Sequence, residues 1–205
     1  MLKAINLECV RGQRRLFSGL NFSLEPGGFL QLTGANGSGK TSLLRILCGL
    51  APPANGEVQW QGANIRSLGE EYFTAITYIG HRHGMKDELT AIENLRVTAG
   101  LSGGEVTPPE AAVVLRKMGL GGRENLPARL LSEGQRRRLA LARLSVCTSR
   151  VWLLDEILTS LDKAAVALVS SLFEEHLGRG GMAIVATHQE LSVSAGSFQR
   201  IELAP

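Results

Sequence analysis

One stretch of eight residues has the types and spacing needed to hold a chain of phosphates. Gly34-Ala35-Asn36-Gly37-Ser38-Gly39-Lys40-Thr41 follows the pattern G-x-x-x-x-G-K-[ST]. Glycines allow successive backbone N–H groups to point at phosphate oxygens, and a helix that starts here adds the positive end of its dipole. We expect this loop and the adjoining Ser42 to bind a nucleotide, with Lys40 neutralising the β- and γ-phosphates and Thr41 ligating Mg²⁺. The alternative is a glycine turn that only joins a strand to a helix.

Two adjacent carboxylates have the placement needed to support hydrolysis of that nucleotide. Asp155 and Glu156 follow the apolar residues 151–154, and α/β sheets bind their ligands at the carboxyl ends of such strands. We expect Asp155 to hold Mg²⁺, directly or through water, and Glu156 to take a proton from the attacking water. Solvated acids at an ordinary strand end are the alternative.

A histidine is predicted to reach the same edge of the sheet. His188 follows the apolar residues 183–186 and Thr187, so we expect it to emerge beside Asp155 and Glu156. There it would hold the γ-phosphate or orient Glu156. Because a lone histidine is more often incidental, this role depends on the order of the surrounding motifs.

The elements that must position these residues can be predicted from the same sequence. Alternation at residues 2–9, 16–24 and 57–60 predicts a small antiparallel layer, and residues 29–33 and 40–50 predict a buried strand followed by a helix. Helical periods fill residues 85–145, and the remaining chain predicts strands at 151–154, 182–186 and 198–203 and a helix at 163–177. The fold class is therefore α/β, with a RecA-like parallel core sheet of the P-loop NTPase type, an N-terminal antiparallel layer and an inserted helical subdomain.

Length and composition limit the number of domains and the kinds of partner. A chain of 205 residues with 44% hydrophobic and 20% charged residues predicts one domain over 1–205, with a core at 1–84 and 146–205 and a helical subdomain at 85–145. Its 24 glycines and 5% aromatic residues are typical of α/β nucleotide-binding folds. A net charge of +3 is too small to define a nucleic-acid surface, so we expect no direct nucleic-acid partner.

Cysteines and apolar runs indicate the compartment. Cys9, Cys48 and Cys147 are widely spaced and odd in number, which predicts neither a disulfide framework nor a zinc site and favours a reducing compartment. No apolar run approaches the roughly 20 residues needed to span a bilayer, and residues 1–10 lack the pattern of a signal peptide. We expect any membrane role to depend on partner proteins.

The order of these motifs resembles that of the ABC ATPase family over essentially the whole chain. Leu131-Ser132-Glu133-Gly134-Gln135, followed by an arginine-rich helix, is similar to the family signature LSGGQ, and Ser160-Leu161-Asp162 follows the acid pair. Ser132 and the amides of a helix start would form a second anion site. The resemblance implies that Ser132, Gly134 and Gln135 bind the ATP of a second copy, so that a homodimer encloses two ATPs. It also implies integral membrane transporter subunits as partners and a peripheral location on the cytoplasmic side of the bacterial inner membrane.

Several positions depart from the family pattern. Glu133 replaces a glycine and brings negative charge to a phosphate site, which is costly unless its side chain points away. No tyrosine lies near residues 10–12 to stack on adenine, and we expect the planar guanidinium of Arg11 to do so. Ile157 stands where proline is common, and no consequence follows from it.

His81 and the arginine run carry further expectations. His81 stands where the family has a Mg²⁺-sensing glutamine, and we expect it to take that role. Together with His83 and Asp87 it also suggests metal or haem ligation, although an ordinary surface loop is favoured. The run Arg136-Arg137-Arg138 predicts a solvated helix face, as charge runs usually do.

Within the family, the short length and the segments at 78–81, 88–95 and 136–144 resemble the ATP-binding subunits of haem exporters in cytochrome c maturation. That resemblance implies an ATPase that drives haem export or handling without touching haem. Another ABC transporter, a DNA-maintenance ATPase of this family, a small-molecule kinase and a nucleotide-binding scaffold remain alternatives. Steep salt-dependent DNA affinity would favour the DNA-maintenance ATPase. Phosphate transfer to an acceptor other than water would favour the kinase.

Overall fold

A computed structural model describes residues 1–80, 84–157, 163–188, 193 and 196–204 of the chain. Its strands are β1 (Leu2–Arg11), β2 (Arg14–Leu24), β3 (Gly28–Thr33), β4 (Asn55–Trp60), β5 (Ala63–Asn64), β6 (Ile76–Ile79), β7 (Val151–Asp155), β8 (Met182–Ala186) and β9 (Ser197–Glu202). Its helices are α1 (Lys40–Leu47), α2 (Ile65–Leu68), α3 (Glu70–Ala75), α4 (Ala91–Leu101), α5 (Pro108–Lys117), α6 (Glu133–Ala142) and α7 (Lys163–Gly178). Two 3₁₀ turns occupy Ala128–Leu130 and Arg143–Ser145.

The strands form the two predicted layers. One sheet is antiparallel with the order β2-β1-β4-β5, and the other has the order β6-β7-β8-β3-β9 with parallel pairing throughout. In the parallel sheet Leu32 is opposite Ala186, and Ala186 is opposite Asp155. The carboxyl ends of β3, β8 and β7 are therefore level, and the loops that follow them share one edge.

Two apolar cores lie on opposite faces of the parallel sheet. Because successive side chains of a strand point to opposite faces, Leu153 of β7 packs with α1 and the antiparallel layer, whereas Trp152 packs with the helical segment and α7. β8 divides in the same way between Ile184 and Val185. This explains why β7 and β8 are almost entirely apolar: both of their faces are buried.

A helical segment connects β6 to β7. Its helices α4, α5 and α6 bury Leu95, Leu115 and Leu139 in one core. Each begins with a capping box, in which the N-cap side chain and the residue three positions later exchange hydrogen bonds: Thr90 with Glu93, Thr107 with Glu110, and Ser132 with Gln135. Among the described residues, no helix has the length and apolar composition required to cross a membrane.

Some elements differ from the sequence prediction. α1 ends at Leu47 rather than at residue 50, since Gly49 adopts a left-handed φ of 73° and its N–H bonds the carbonyl of Ile46. The edge strand β6 and the helices α2 and α3 were not predicted. β6 has only four residues, too few to establish a period of two, and its strand pairing with β7 depends on residues far away in the sequence.

Candidate nucleotide-binding site

The phosphate loop connects β3 to α1 at the edge where the parallel strands end. Its glycines adopt conformations that other residues resist: φ is 134° at Gly34, 81° at Gly37 and 107° at Gly39. A Cβ on Gly34 would lie 2.4 Å from the carbonyl oxygen of Leu203, and one on Gly39 would lie 3.2 Å from the side chains of Leu16 and Phe17. The loop therefore requires glycine both for its turns and for its close packing.

Lys40 is held in the loop by its own backbone. Its Nζ donates to the carbonyl oxygens of Gly34 at 2.7 Å and Ala35 at 3.1 Å, and the residue is buried. The first turn of α1 contains no acidic residue, so the positive end of the helix dipole is not offset there. Cation and dipole thus act on the same anion-binding loop.

Ser38 supplies a direct indication that the loop accepts a ligand. Its hydroxyl is buried and has no hydrogen-bond partner among the residues that the structure describes. A buried polar atom without a partner is costly, and a phosphate oxygen would satisfy it. Ala35, Asn36 and Gly37 are exposed at the mouth of the loop.

Asp155 lies buried at the end of β7, beside α1 and β6. Burial, together with the nearby Asp155 carboxylate, raises the pKa of Tyr78 to about 12. The same two causes raise the pKa of Cys48. Asp155 therefore acts on residues from both neighbouring elements. Thr41 lies in the first turn of α1 and is exposed, whereas its neighbours Lys40 and Ser42 are buried.

Glu156 and His188 follow adjacent strands, and the backbone ties their turns to the sheet edge. The N–H of Glu156 donates to the carbonyl of Ala186 at 2.9 Å, and that of Thr187 donates to Leu32 at 3.2 Å. Glu156 has a φ of 53°, a left-handed conformation that is rare outside glycine and is often found at functional sites. His188 is exposed. The sequence contains no signal for the strained backbone of Glu156.

The signature residues form the start of α6. Ser132 is the N-cap: its Oγ accepts from the N–H of Gln135 at 3.3 Å, and its own N–H donates to Oε1 of Gln135 at 3.0 Å. Ser132, Glu133 and Gly134 are exposed, so the helix start is accessible to an anion. The Glu133 side chain is 71% exposed, and its carboxylate lies 4.0 Å from Nη2 of Arg137, one turn further along α6. This arginine partly offsets the negative charge of Glu133.

The expectation of a solvated arginine face on α6 is wrong. Arg136 forms an ion pair with Asp87, and Arg137 is buried. Arg138 packs so closely against Gly119 that a Cβ there would overlap its guanidinium. All three arginines therefore contact the helical segment itself, with Arg137 buried and Arg136 and Arg138 half-buried. This weakens the feature that favoured a DNA-binding member of the family.

The adenine end of the site has two candidate surfaces. Arg11 is exposed at the end of β1, opposite Arg14, and its charge acts on Cys9. Burial raises the pKa of the Cys9 thiol, which hydrogen-bonds Ser42 of α1. Leu16 and Phe17, which line the loop at Gly39, were not predicted as site residues, although alternation in β2 turns Phe17 inward.

His81, His83 and Ser160-Leu161-Asp162 lie outside the described residues.

The residues present fit a nucleotide with its magnesium ion. Within the described part of the chain, no group of three or more His, Cys, Asp or Glu side chains is arranged as a metal site. Mg²⁺ does not require one, because it is usually held by one or two protein oxygens together with substrate phosphates. Thr41 and Asp155 supply such oxygens next to the phosphate loop.

Fold and site together define an ATP-binding cassette. The ABC transporter family matches residues 17–159, and the chain belongs to that family as one of its nucleotide-binding ATPases. The cytochrome c biogenesis ATP-binding export protein CcmA of Nitrosospira multiformis is 57% identical over 202 residues, covering 98% of each chain. The protein of the same name from Nitrosomonas europaea is 54% identical over 204 residues, covering 100% of this chain and 96% of the relative.

Solved structures confirm the fold class. An ABC transporter ATP-binding protein from Pyrococcus furiosus matches with a TM-score of 0.84 at 22% identity, covering 98% of this chain and 96% of its own. An ATP-binding cassette solved as a dimer in a post-hydrolysis state, with ADP and phosphate bound, matches with a TM-score of 0.77 at 25% identity, covering 92% and 88%. Both contain the predicted α/β arrangement.

Proposed function

We propose that this chain is the ATP-hydrolysing subunit of a transporter that drives haem export or handling in cytochrome c biogenesis. The observation that carries the proposal is similarity along the full chain to cytochrome c biogenesis export proteins, at 57% and 54% identity. The described site contributes the parts that hydrolysis needs, from the phosphate loop to the acid pair.

Each residue of the site has a role in hydrolysis. Lys40 and the backbone amides of residues 34–41 bind the β- and γ-phosphates, and the Ser38 hydroxyl donates to a phosphate oxygen. Glu156 orients the attacking water and accepts its proton, while His188 contacts the γ-phosphate or positions Glu156. Thr41 and Asp155 would hold Mg²⁺, which when bound would supply positive charge beside the phosphates. Arg11 stacks on the adenine, and His81 takes the sensing role of the usual glutamine.

The active unit is a homodimer with two ATPs between its copies. Ser132, Gly134 and Gln135 of one copy bind the ATP held by the phosphate loop of the other, as the accessible start of α6 supports. Loss of the γ-phosphate removes the group that both copies contact, and the dimer opens. The similarity to a cassette solved as a dimer supports this arrangement.

The partners are integral membrane subunits, and the chain is peripheral on the cytoplasmic side of the bacterial inner membrane. Two exposed apolar side chains, Phe73 of α3 at 51% and Leu101 of α4 at 84%, line one groove of about 330 Å³. Exposed apolar groups that cluster in a groove are a common feature of protein contacts, so this groove supports docking of a membrane subunit. The single domain over 1–205, with its core and its helical subdomain at 85–145, is the unit that docks.

The proposal is tested in cells that assemble c-type cytochromes. Lys40→Ala and Glu156→Gln are expected to stop assembly of haem-stained cytochrome c, while Glu175→Gln, which alters an exposed pair on α7, leaves it intact. Coexpressed membrane subunits are expected to bring all three variants to the membrane fraction. Normal assembly with both site variants would reject the role in cytochrome c biogenesis and leave the ATPase assignment in place.

A further inference from the structure

Asp87 contacts the polypeptide on both sides of Ser132. Its carbonyl oxygen accepts from the N–H of Arg129 at 3.0 Å, three residues before Ser132. Its carboxylate pairs with the guanidinium of Arg136, four residues after Ser132 and one turn into α6. A single residue of another segment therefore contacts the chain both before and after the start of α6.

The segment that carries Asp87 is itself fixed. Asn94 of α4 is buried, and its Oδ1 accepts from the N–H of Lys86 at 2.9 Å. Its Nδ2 shares its two N–H bonds among the carbonyl oxygens of Lys86, Leu89 and Thr90, at 3.0 to 3.1 Å. Ala128 also donates to the carbonyl of Leu89 at 2.9 Å. Residues 86–90 are thus bound to α4 on one side and to the turn before Ser132 on the other.

This segment follows β6, the neighbour of the strand that ends in Asp155. From these contacts we infer that Asp87 is a positioning residue, which through Arg136 holds the start of α6 at the angle where Ser132 meets the ATP of the second copy. The inference rests on the proposed two-copy site. As a positioning residue Asp87 touches neither nucleotide nor metal, in contrast to the ligand role considered with His81 and His83.

The ion pair suits positioning better than stabilisation of the fold. Its side chains are 49% and 26% exposed for Asp87 and Arg136, and partly exposed pairs add little to folding stability. The backbone contacts of residues 86–90 persist when the carboxylate is replaced by an amide. Removing the charge should therefore change the geometry of α6 and leave the fold intact.

The test measures ATP-driven dimerisation in the Glu156→Gln background, where ATP persists. Asp87→Asn is expected to raise the protein concentration for half-dimerisation in saturating Mg-ATP by about tenfold, because two such pairs act per dimer. Arg136→Gln should raise this concentration equally, and the double variant should raise it no further than either single variant. Arg136→Lys, which keeps the positive charge, should dimerise at nearly the concentration of its parent. Glu175→Gln, which breaks an exposed pair on α7, is the matched control and should change nothing.

The affinity of the isolated monomer for a fluorescent ATP analogue separates positioning from a general structural role. This affinity should be the same in Asp87→Asn and in its parent. Equal losses in monomer binding and in dimerisation would overturn the inference. Normal dimerisation of Asp87→Asn beside a defective Ser132→Ala would also overturn it, with the two-copy site intact. Normal dimerisation of Ser132→Ala would reject the two-copy site and the inference together.

Discussion

At the scale of single residues, the backbone of the phosphate loop holds its own lysine in place. Lys40 lies buried with its ammonium on the carbonyls of Gly34 and Ala35. The ammonium is thereby held within the anion-binding loop, and preorganised charge is what makes electrostatic stabilisation effective.

We expect Lys40→Ala to lower ATP turnover by at least about a hundredfold, since it removes both a phosphate contact and the charge that offsets the transition state. Arg45→Ala is the matched control, because Arg45 is a basic, exposed residue of the same helix. Its turnover should stay within about twofold of wild type. Phosphate release assays on purified protein provide the measurement, and similar losses in the two variants would contradict the role of Lys40.

Residue types and spacing were sufficient to predict the phosphate loop, because its chemistry depends on a local pattern. They were also sufficient to predict where Asp155 and Glu156 emerge. They could not show the left-handed backbone of Glu156 or the buried Ser38 hydroxyl that lacks a partner among the described residues, since both depend on the folded packing. The environment of the three arginines of α6 was mispredicted for the same reason: Asp87 and Gly119 are far from them in the sequence.

At the scale of elements, we propose two roles for the start of α6, whereas the starts of α4 and α5 have only the capping role. Ser132 caps the helix and is proposed to contact a phosphate, whereas Thr107 caps α5 with Glu110 and has no proposed ligand. The capping box is predictable from sequence, because it depends on residues only three positions apart. The edge strand β6, with four residues, is not.

Comparing the two caps separates these duties. Ser132→Ala and Thr107→Ala are both expected to lower the free energy of unfolding by about 1 kcal/mol, the usual cost of losing a cap. Only Ser132→Ala should also reduce ATP turnover, by about tenfold or more. Urea unfolding and steady-state hydrolysis measure the two effects, and equal turnover in both variants would reject a ligand role for Ser132.

The contact of α7 with the parallel sheet predicts a pH dependence. His176 stacks on Trp152 with ring centres 3.7 Å apart, and its Nε2 lies 3.1 Å from the carbonyl oxygen of Met182. Burial lowers the pKa of His176, opposed by backbone hydrogen bonds and assisted by the charge of Arg179. The unfolded chain, with an ordinary histidine pKa near 6.5, therefore binds this proton more readily than the folded protein.

Stability from His176 is consequently present above about pH 6.5 and is lost as the pH falls through and below that value. Thermal unfolding between pH 8 and pH 5 should show this decline, and His176→Phe, which retains a stacking ring without a titrating group, should flatten it. His188→Gln, a change at an exposed histidine, is the control and should keep the slope. An identical slope in His176→Phe would show that other groups cause the decline.

At the scale of the whole molecule, the two ends of the proposed reaction lie on separate parts of one chain. The phosphate loop, Asp155 and Glu156 belong to the parallel sheet and its edge, whereas Ser132 belongs to the helical segment between β6 and β7. A second copy completes each site in our proposal, so ATP acts as the link between copies. In that proposal, loss of the γ-phosphate opens the dimer, and a membrane partner would use this movement.

The most direct measurement is the mass of the Glu156→Gln protein in solution, by sedimentation, with and without saturating Mg-ATP. We predict a shift from one copy to two when ATP is added, a return to one copy with ADP, and no shift when Ser132→Ala is added to Glu156→Gln. If the protein remains a single copy at saturating Mg-ATP, or if the dimer forms equally well without Ser132, the account of paired copies closing on ATP is contradicted.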